Sequence, residues 1–210
     1  MGGNYIGTDT SGTQDLGNAG DGVHIQGASN NTIGGAEVIM NRLRNIIYNN
    51  GGDGIFASNG TGNSILINDI SGNAGLGIDL GGDGVTANDD DDPNTGANNL
   101  QNFPVITALI FNETTSTWTI FGTLNSTPNQ SFTLRLYSMD QADLSNHGEG
   151  GLYWAELVPA ITTDADGNAS FSIETNGGPP TDFLTATATN TATGDTSEFS
   201  GYEEKVIVVD

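Results

Sequence analysis

The sequence has no cysteine, and only four Lys and Arg stand against 26 Asp and Glu, giving a formal charge of −22. Without cysteine there is no disulfide framework, no thiolate metal site and no cysteine nucleophile. Four bases are too few to neutralise a run of phosphates or to hold an anionic membrane surface, so nucleic acid is excluded as a partner. No apolar run approaches the ~18 residues that span a bilayer, so membrane insertion is not expected. Met1-Gly2-Gly3 lacks the basic and apolar stretches of a signal peptide and reads as a cut end. Any targeting signal is then expected elsewhere in a longer parent chain. Catalytic motifs are scarce too. There are two histidines, His24 and His147, and no Gly-x-Ser-x-Gly elbow. No Gly cluster continues into the Lys-Ser/Thr of a phosphate loop.

Glycine and asparagine are abundant, and unevenly so. Residues 1–102 hold 22 of the 31 Gly and 17 Asn, whereas both Trp lie beyond residue 102. Acids are spread evenly, 12 before residue 103 and 14 after, so composition rather than charge marks a boundary there. Two domains are expected, 1–102 and 103–210.

The first part repeats. Gly22-Val-His-Ile25 returns as Gly54-Ile-Phe-Ala57 and as Gly77-Ile-Asp-Leu80, and Asn31-Thr-Ile33 returns as Asn63-Ser-Ile65. From Val23 to Ile55 is 32 residues and from Ile55 to Ile78 is 23; a nine-residue insertion at Gly35–Leu43 accounts for the difference. Gly, Asn and Asp are poor helix formers, with Gly costing ~1 kcal/mol per interior site. Short β-prone runs bounded by Gly and Asn are strands joined by turns. Three strands in about 23 residues is the arithmetic of a right-handed parallel β-helix. Val23, Ile25, Ile33, Ile46, Ile55, Ile65, Ile67, Ile70 and Ile78 are expected to stack inward, and His24 to face out. Asn and Gly are expected at corners, where left-handed backbone angles are tolerated.

Gly3-Asn-Tyr-Ile-Gly-Thr-Asp9, Asn31-Thr-Ile-Gly-Gly35 and Leu76-Gly-Ile-Asp-Leu-Gly81 resemble the repeats of large bacterial secreted or surface β-helix proteins. Some members of that group carry a Cys-Ser-Leu-Arg-Glu-Ala motif, which is absent here. The resemblance extends through Asn98-Asn-Leu-Gln-Asn-Phe-Pro-Val105 into Gly122–Asn129 and Ala186–Phe199, and there it implies an immunoglobulin-like β-sandwich. The residues point the same way. Trp118–Leu124, Ser131–Tyr137, Ala169–Ile173 and Phe183–Ala188 are strand-like, Thr163–Asn168 is a tight turn, and Lys205–Val209 is a candidate last strand. The fold class expected is all-β.

Candidate sites are few, and none is catalytic. Asp89, Asp90, Asp91 and Asp92 are consecutive, with Asp79 and Asp83 upstream. Oxygen-only ligands with no nitrogen or sulfur donor suit Ca²⁺. Gly51-Gly-Asp-Gly54 and Gly81-Gly-Asp-Gly84 are not calcium nonapeptides, because Phe56 and Thr86 occupy the position that requires Asp. Trp118, Tyr137, Tyr153 and Trp154 offer flat faces to a sugar ring. Tyr153 and Trp154 are adjacent and should point to opposite faces of one strand. The reading is a non-enzymatic structural or adhesive stalk segment, extracellular or at the cell surface, with a polysaccharide or cell-surface component as partner. The alternative is a polysaccharide-binding or polysaccharide-processing module, for which Asp79, Asp83 and the 89–92 run are the paired carboxylates to test. Cutting a β-helix leaves open sheet edges, so self-association near Asn4–Ile6 is expected.

Overall fold

The computed structural model describes residues 1–35, 43–157, 159–177 and 181–208. Strand accounts for 43% of the chain and helix for 2%, so the protein is all-β. Most of the insertion at Gly35–Leu43, including Arg42, lies outside the described residues, as does Val209.

Among the described residues eight short strands come first: β1 (Tyr5–Ile6), β2 (Val23–Ile25), β3 (Thr32–Ile33), β4 (Asn45–Tyr48), β5 (Ile55–Ala57), β6 (Ser64–Ile65), β7 (Asn68–Ser71) and β8 (Ile78–Leu80). They form three parallel ladders, β1-β4-β7, β2-β5-β8 and β3-β6. Register puts like on like: Ile6, Ile47 and Ile70 in one column, Val23, Ile55 and Ile78 in another, Ile33 over Ile65 in the third. Ile47, Ile55, Ile65, Ile70 and Ile78 are fully buried. One expected inward residue is out of phase. Ile46 is half-buried, and Ile47 takes the core position instead. Successive side chains of a strand alternate faces. Asn45 is buried in β4, so Ile47 must follow it inward and Ile46 must face out.

Buried asparagine is the second structural element of the stack. Asn4 Nδ2 donates to Asn45 Oδ1 (2.8 Å), and Asn45 Nδ2 donates to Asn68 Oδ1 (2.8 Å). Asn18, Asn50 and Asn73 repeat the pattern at 2.9 and 2.8 Å, and Asn31 reaches Asn63 at 2.9 Å. In each step the backbone N–H of the upper Asn bonds the same oxygen. One side chain thus satisfies two donors of the layer above it and donates to the layer below. That is how a polar residue is buried without the cost of an orphaned group. Ladder asparagines were expected at corners for their tolerance of positive φ. Asn30 and Asn49 do that, at φ 60, but Asn45, Asn50, Asn63, Asn68 and Asn73 do not.

From residue 105 onward the strands are longer: β9 (Val105–Asn112), β10 (Thr117–Asn125), β11 (Ser131–Met139), β12 (Leu152–Glu156), β13 (Ile161–Thr162), β14 (Asn168–Thr175), β15 (Phe183–Asn190) and β16 (Glu203–Val208). All belong to one hydrogen-bonded path, β12-β11-β15-β16-β9-β10-β14, with β13 on β11, and the sheet curls into a half-barrel. β16 joins its two halves, antiparallel to β15 over two residues and then parallel to β9 over four. The concave side is filled by Leu109, Ile120, Leu124, Phe132, Leu134, Leu136, Leu184 and their neighbours. Gly167 (φ 72) closes the turn ahead of β14 as its sequence predicts. No helix among the described residues is long and apolar enough to cross a membrane.

Candidate functional site

The surface richest in unusual chemistry is the junction where the curled sheet meets the last coil. A parallel ladder that ends leaves a row of N–H groups without carbonyls. Here side chains from the second part replace them. Ile65 N–H donates to Thr196 Oγ1 (3.0 Å), Gly62 N–H to Asp195 Oδ1 (2.5 Å) and Asn73 N–H to Glu149 Oε1 (3.0 Å). Leu80 N–H and Thr86 N–H each donate to one oxygen of Glu198, both at 2.9 Å. Asn98 continues the Asn31–Asn63 ladder by accepting from Asn63 N–H at 2.9 Å, and its Nδ2 donates to Thr196 O at 2.9 Å. Tyr137 OH donates to Leu66 O (2.8 Å), and Tyr153 N–H donates to Asp69 Oδ1 (3.1 Å). Asp69 in turn pairs with Arg44 at 2.8 Å. Tyr137 and Phe199 also belong to the same apolar cluster as the stacked isoleucines. Gly77 is needed for this approach. A Cβ there would lie 2.8 Å from the Phe199 ring and 2.9 Å from Glu149 Cα.

These capping acids are buried, and burial pushes them up: Glu149 and Glu198 to about 7, Asp69 to about 6. The Asn73, Leu80 and Thr86 amides and the Arg44 guanidinium oppose the shift without cancelling it. A carboxyl whose folded value lies above its unfolded one is protonated more in the fold, so stability is complete below ~4.5 and declines as pH rises through 7. A move from 4.5 to about 7 corresponds to roughly 3 kcal/mol for each glutamate. The thermal midpoint should therefore fall steadily from pH 5 to pH 8. Glu149→Gln with Glu198→Gln, which keeps an acceptor at both positions, should flatten that slope. A midpoint that rises over this range would contradict the burial of these acids.

Beside the junction lies a cleft of about 790 Å³, walled by Tyr48, Asn73, Ser138, Asp143, Glu149 and Leu152 among others. Glu149, its buried acid, has both oxygens within reach of the Asn73 N–H, at 3.0 and 3.2 Å. Asp143 Oδ1 is taken by Ser145. His147 Nδ1 bonds Phe199 O (3.0 Å), and its ring packs on Phe103. His24 is exposed, pairs with Asp21 at 3.2 Å and sits edge-on to Phe56.

The structure separates the aromatic candidates. Tyr137 is buried in the core, its ring edge against Tyr153 and Phe199, and presents no face to a ligand. Trp118 stacks on Phe111 with centroids 4.9 Å apart. Tyr153 packs toward the coils and Trp154 toward the concave core, on opposite faces as adjacency requires. The acids are divided too. Asp79 is buried and accepts from Gly82 N–H at 2.8 Å, with Asp83 nearby. Asp92, in the 89–92 run, feels Asp89 and Asp195 instead. Among the described residues no group of three or more His, Asp or Glu side chains is arranged to hold a metal ion.

No known family profile matches the chain, and no curated protein is significantly similar to it.

Proposed function

We propose that this chain is a non-enzymatic structural or adhesive segment of a larger extracellular bacterial protein. In this reading residues 1–102 are the last coils of a right-handed parallel β-helix, and residues 103–210 are an immunoglobulin-like sandwich that closes it. The observation that carries the reading is the capped junction. Glu149, Asp195, Thr196 and Glu198 supply acceptors where a further coil would supply carbonyls, so the cleft acid is committed to holding the fold. The opposite end is open. Among the described residues nothing donates to the Oδ1 of Asn4, Asn18 or Asn31, and Met1, Tyr5, Leu16 and Leu43 are all exposed there. Such an edge favours association with another strand, while the charge of −22 favours solubility.

The test is a glycan array together with reducing-sugar and unsaturated-uronate assays on plant and algal polysaccharides. A flat array and no product are expected, with light scattering showing concentration-dependent association. Binding that disappears in Trp154→Ala, or product that disappears in Glu149→Gln, would replace the stalk with a carbohydrate-binding or carbohydrate-cleaving module. A strict monomer at every concentration would remove the open edge from the reading.

A further inference from the structure

Asparagine followed by glycine occurs three times, at Asn50-Gly51, Asn59-Gly60 and Asn176-Gly177. The pair carries a reaction of its own. The main-chain nitrogen that follows an asparagine can attack that residue's side-chain carbonyl carbon, and glycine places no Cβ in the way. The rate then depends on where the fold holds two atoms, the glycine nitrogen and the asparagine Cγ. Reacting atoms kept about 3–3.5 Å apart have already met most of the entropic cost of finding each other.

The three pairs are held differently. Asn50 is buried, its Oδ1 accepts from both nitrogens of Asn18 and its Nδ2 donates to Asn73 Oδ1. The Gly51 N–H donates to Asn18 O at 2.8 Å. Neither reacting group can move toward the other without opening the stack. Asn176 is exposed, but the Gly177 N–H is held by Thr175 Oγ1 (3.2 Å) rather than by the Asn176 side chain.

At Asn59 the two groups are already together. The Gly60 N–H donates to Asn59 Oδ1 at 2.8 Å. With a carbonyl bond of ~1.2 Å, the nitrogen lies no more than about 4 Å from Cγ. Asn59 is exposed, so water and base reach it. Among the described residues the Gly60 N–H has no other partner, so its movement toward Cγ breaks no ladder bond. The corner around it is fixed. Ser58 N–H donates to Ile25 O at 3.0 Å, Thr61 N–H to Ser29 Oγ at 3.0 Å, and Gly60 O accepts from Asn98 N–H at 2.7 Å. Gly60 stands at φ 90, and a Cβ there would lie 2.1 Å from Ala28 O. Coils on both sides therefore hold the nitrogen and the side chain in one arrangement.

We infer that Asn59 is a modification site, at which the folded chain itself converts the amide to aspartate and isoaspartate. The Gly60 nitrogen gives its proton to solvent base and bonds to Asn59 Cγ. The Cγ–Nδ2 bond breaks, and Nδ2 leaves as ammonia with a proton from solvent. Water then opens the five-membered succinimide. Attack at Cγ gives aspartate, and attack at the main-chain carbonyl gives isoaspartate, which carries the backbone through the side chain. No oxidant or metal enters. Either product adds a negative charge beside Gly60, and isoaspartate adds one main-chain carbon to the corner between β5 and β6.

The intact protein is incubated for weeks at pH 7, folded in buffer and unfolded in guanidinium chloride, and its proteolytic fragments are followed by mass spectrometry. Isoaspartate is counted by enzymatic methyl labelling with an isoaspartyl methyltransferase. In guanidinium the three asparagines should convert at rates within about twofold, since the same residue follows each. In the fold Asn59 should convert no more slowly than in guanidinium, faster than Asn176, and about tenfold or more faster than Asn50, which must wait for local opening. Both isoaspartate and aspartate should form. Asn59→Gln, in which the same attack would have to close a larger ring, should leave the corner unmodified with an unmoved thermal midpoint. Folding that slows Asn59 as much as Asn50 would overturn the site. So would faster conversion of Asn176 than of Asn59 in the fold, aspartate formed at Asn59 without isoaspartate, or methyl labelling undiminished in Asn59→Gln.

Discussion

Replacing Ile55 with alanine should lower the unfolding free energy by about 2–5 kcal/mol, the sum of lost transfer energy and the cavity left behind. Ile55 is fully buried between Val23 and Ile78 in adjacent layers of one ladder. Its cluster runs on into Tyr137 and Phe199, so the cavity opens in the core that both parts of the chain share. Neighbouring layers are held at their spacing by main-chain bonds and cannot collapse to fill it. His24, next to Val23 on the outer face, is the matched control. It is exposed, and its pairing with Asp21 is a surface ion pair. His24→Ala should cost at most about 1 kcal/mol. Denaturant melts with unchanged slope would measure both. Comparable losses at the two positions would mean that the inward and outward faces are misassigned.

Asn50→Ala should be nearly as damaging as a core deletion, at about 3 kcal/mol, although it removes a polar side chain. Asn50 is buried and stands in the middle of its ladder. Its Oδ1 accepts from the backbone and side-chain nitrogens of Asn18, at 3.2 and 2.9 Å, and its Nδ2 donates to Asn73 Oδ1 at 2.8 Å. Alanine leaves the donors of Asn18, itself exposed, without their acceptor, and leaves Asn73 Oδ1 short of a donor in the buried wall of the stack. Asn50→Asp separates the contributions. It keeps the acceptor for Asn18 but sets a carboxylate against Asn73 Oδ1, so it should be no better than alanine. Asn59 is exposed and bonds only the adjacent Gly60 N–H, so Asn59→Ala should cost within about 0.5 kcal/mol. Equal small effects at Asn50 and Asn59 would show that the ladder contributes nothing beyond turn formation.

Period and register were legible because they are local. The 32- and 23-residue returns of Gly-Val/Ile and Asn-x-Ile match the observed ladders residue for residue, Val23 on Ile55 on Ile78. The phase of β4 was not, because two adjacent isoleucines leave alternation undetermined until Asn45 is known to point inward. The same spacing could have revealed that role. Asn45 and Asn68, like Asn50 and Asn73, stand 23 residues apart. Tyr137 was misplaced among surface aromatics because a strand of a sheet is ordinarily covered on one side. β11 is covered on both, by the concave core on one face and by the coils on the other. The caps were invisible for a different reason. Glu149 and Glu198 lie 76 and 118 residues from the amides of Asn73 and Leu80 that they satisfy, and nothing local distinguishes them from the other acids. In the acidic loop the run of four aspartates is conspicuous, yet it is Asp92 whose carboxylate is anchored, by donors from Gln101, Asn102 and Ser126 that lie 9 to 34 residues further along the chain.

Native-state hydrogen exchange at single-residue resolution tests most directly whether the second part of the chain closes the coil stack. The amides of Gly62, Ile65, Asn73, Leu80 and Thr86 have side-chain acceptors from residues 149–198. The amide of Ile55, bonded to Gly77 O within the stack, is the internal reference. If the junction is formed as described, Ile65, Asn73 and Leu80 exchange as slowly as Ile55, within about tenfold, and Glu198→Ala speeds Leu80 and Thr86 while leaving Ile55 protected. Exchange of Ile65, Asn73 and Leu80 at the rate of open loop amides, with Ile55 still protected, would show the last coil to be uncapped and would contradict the account.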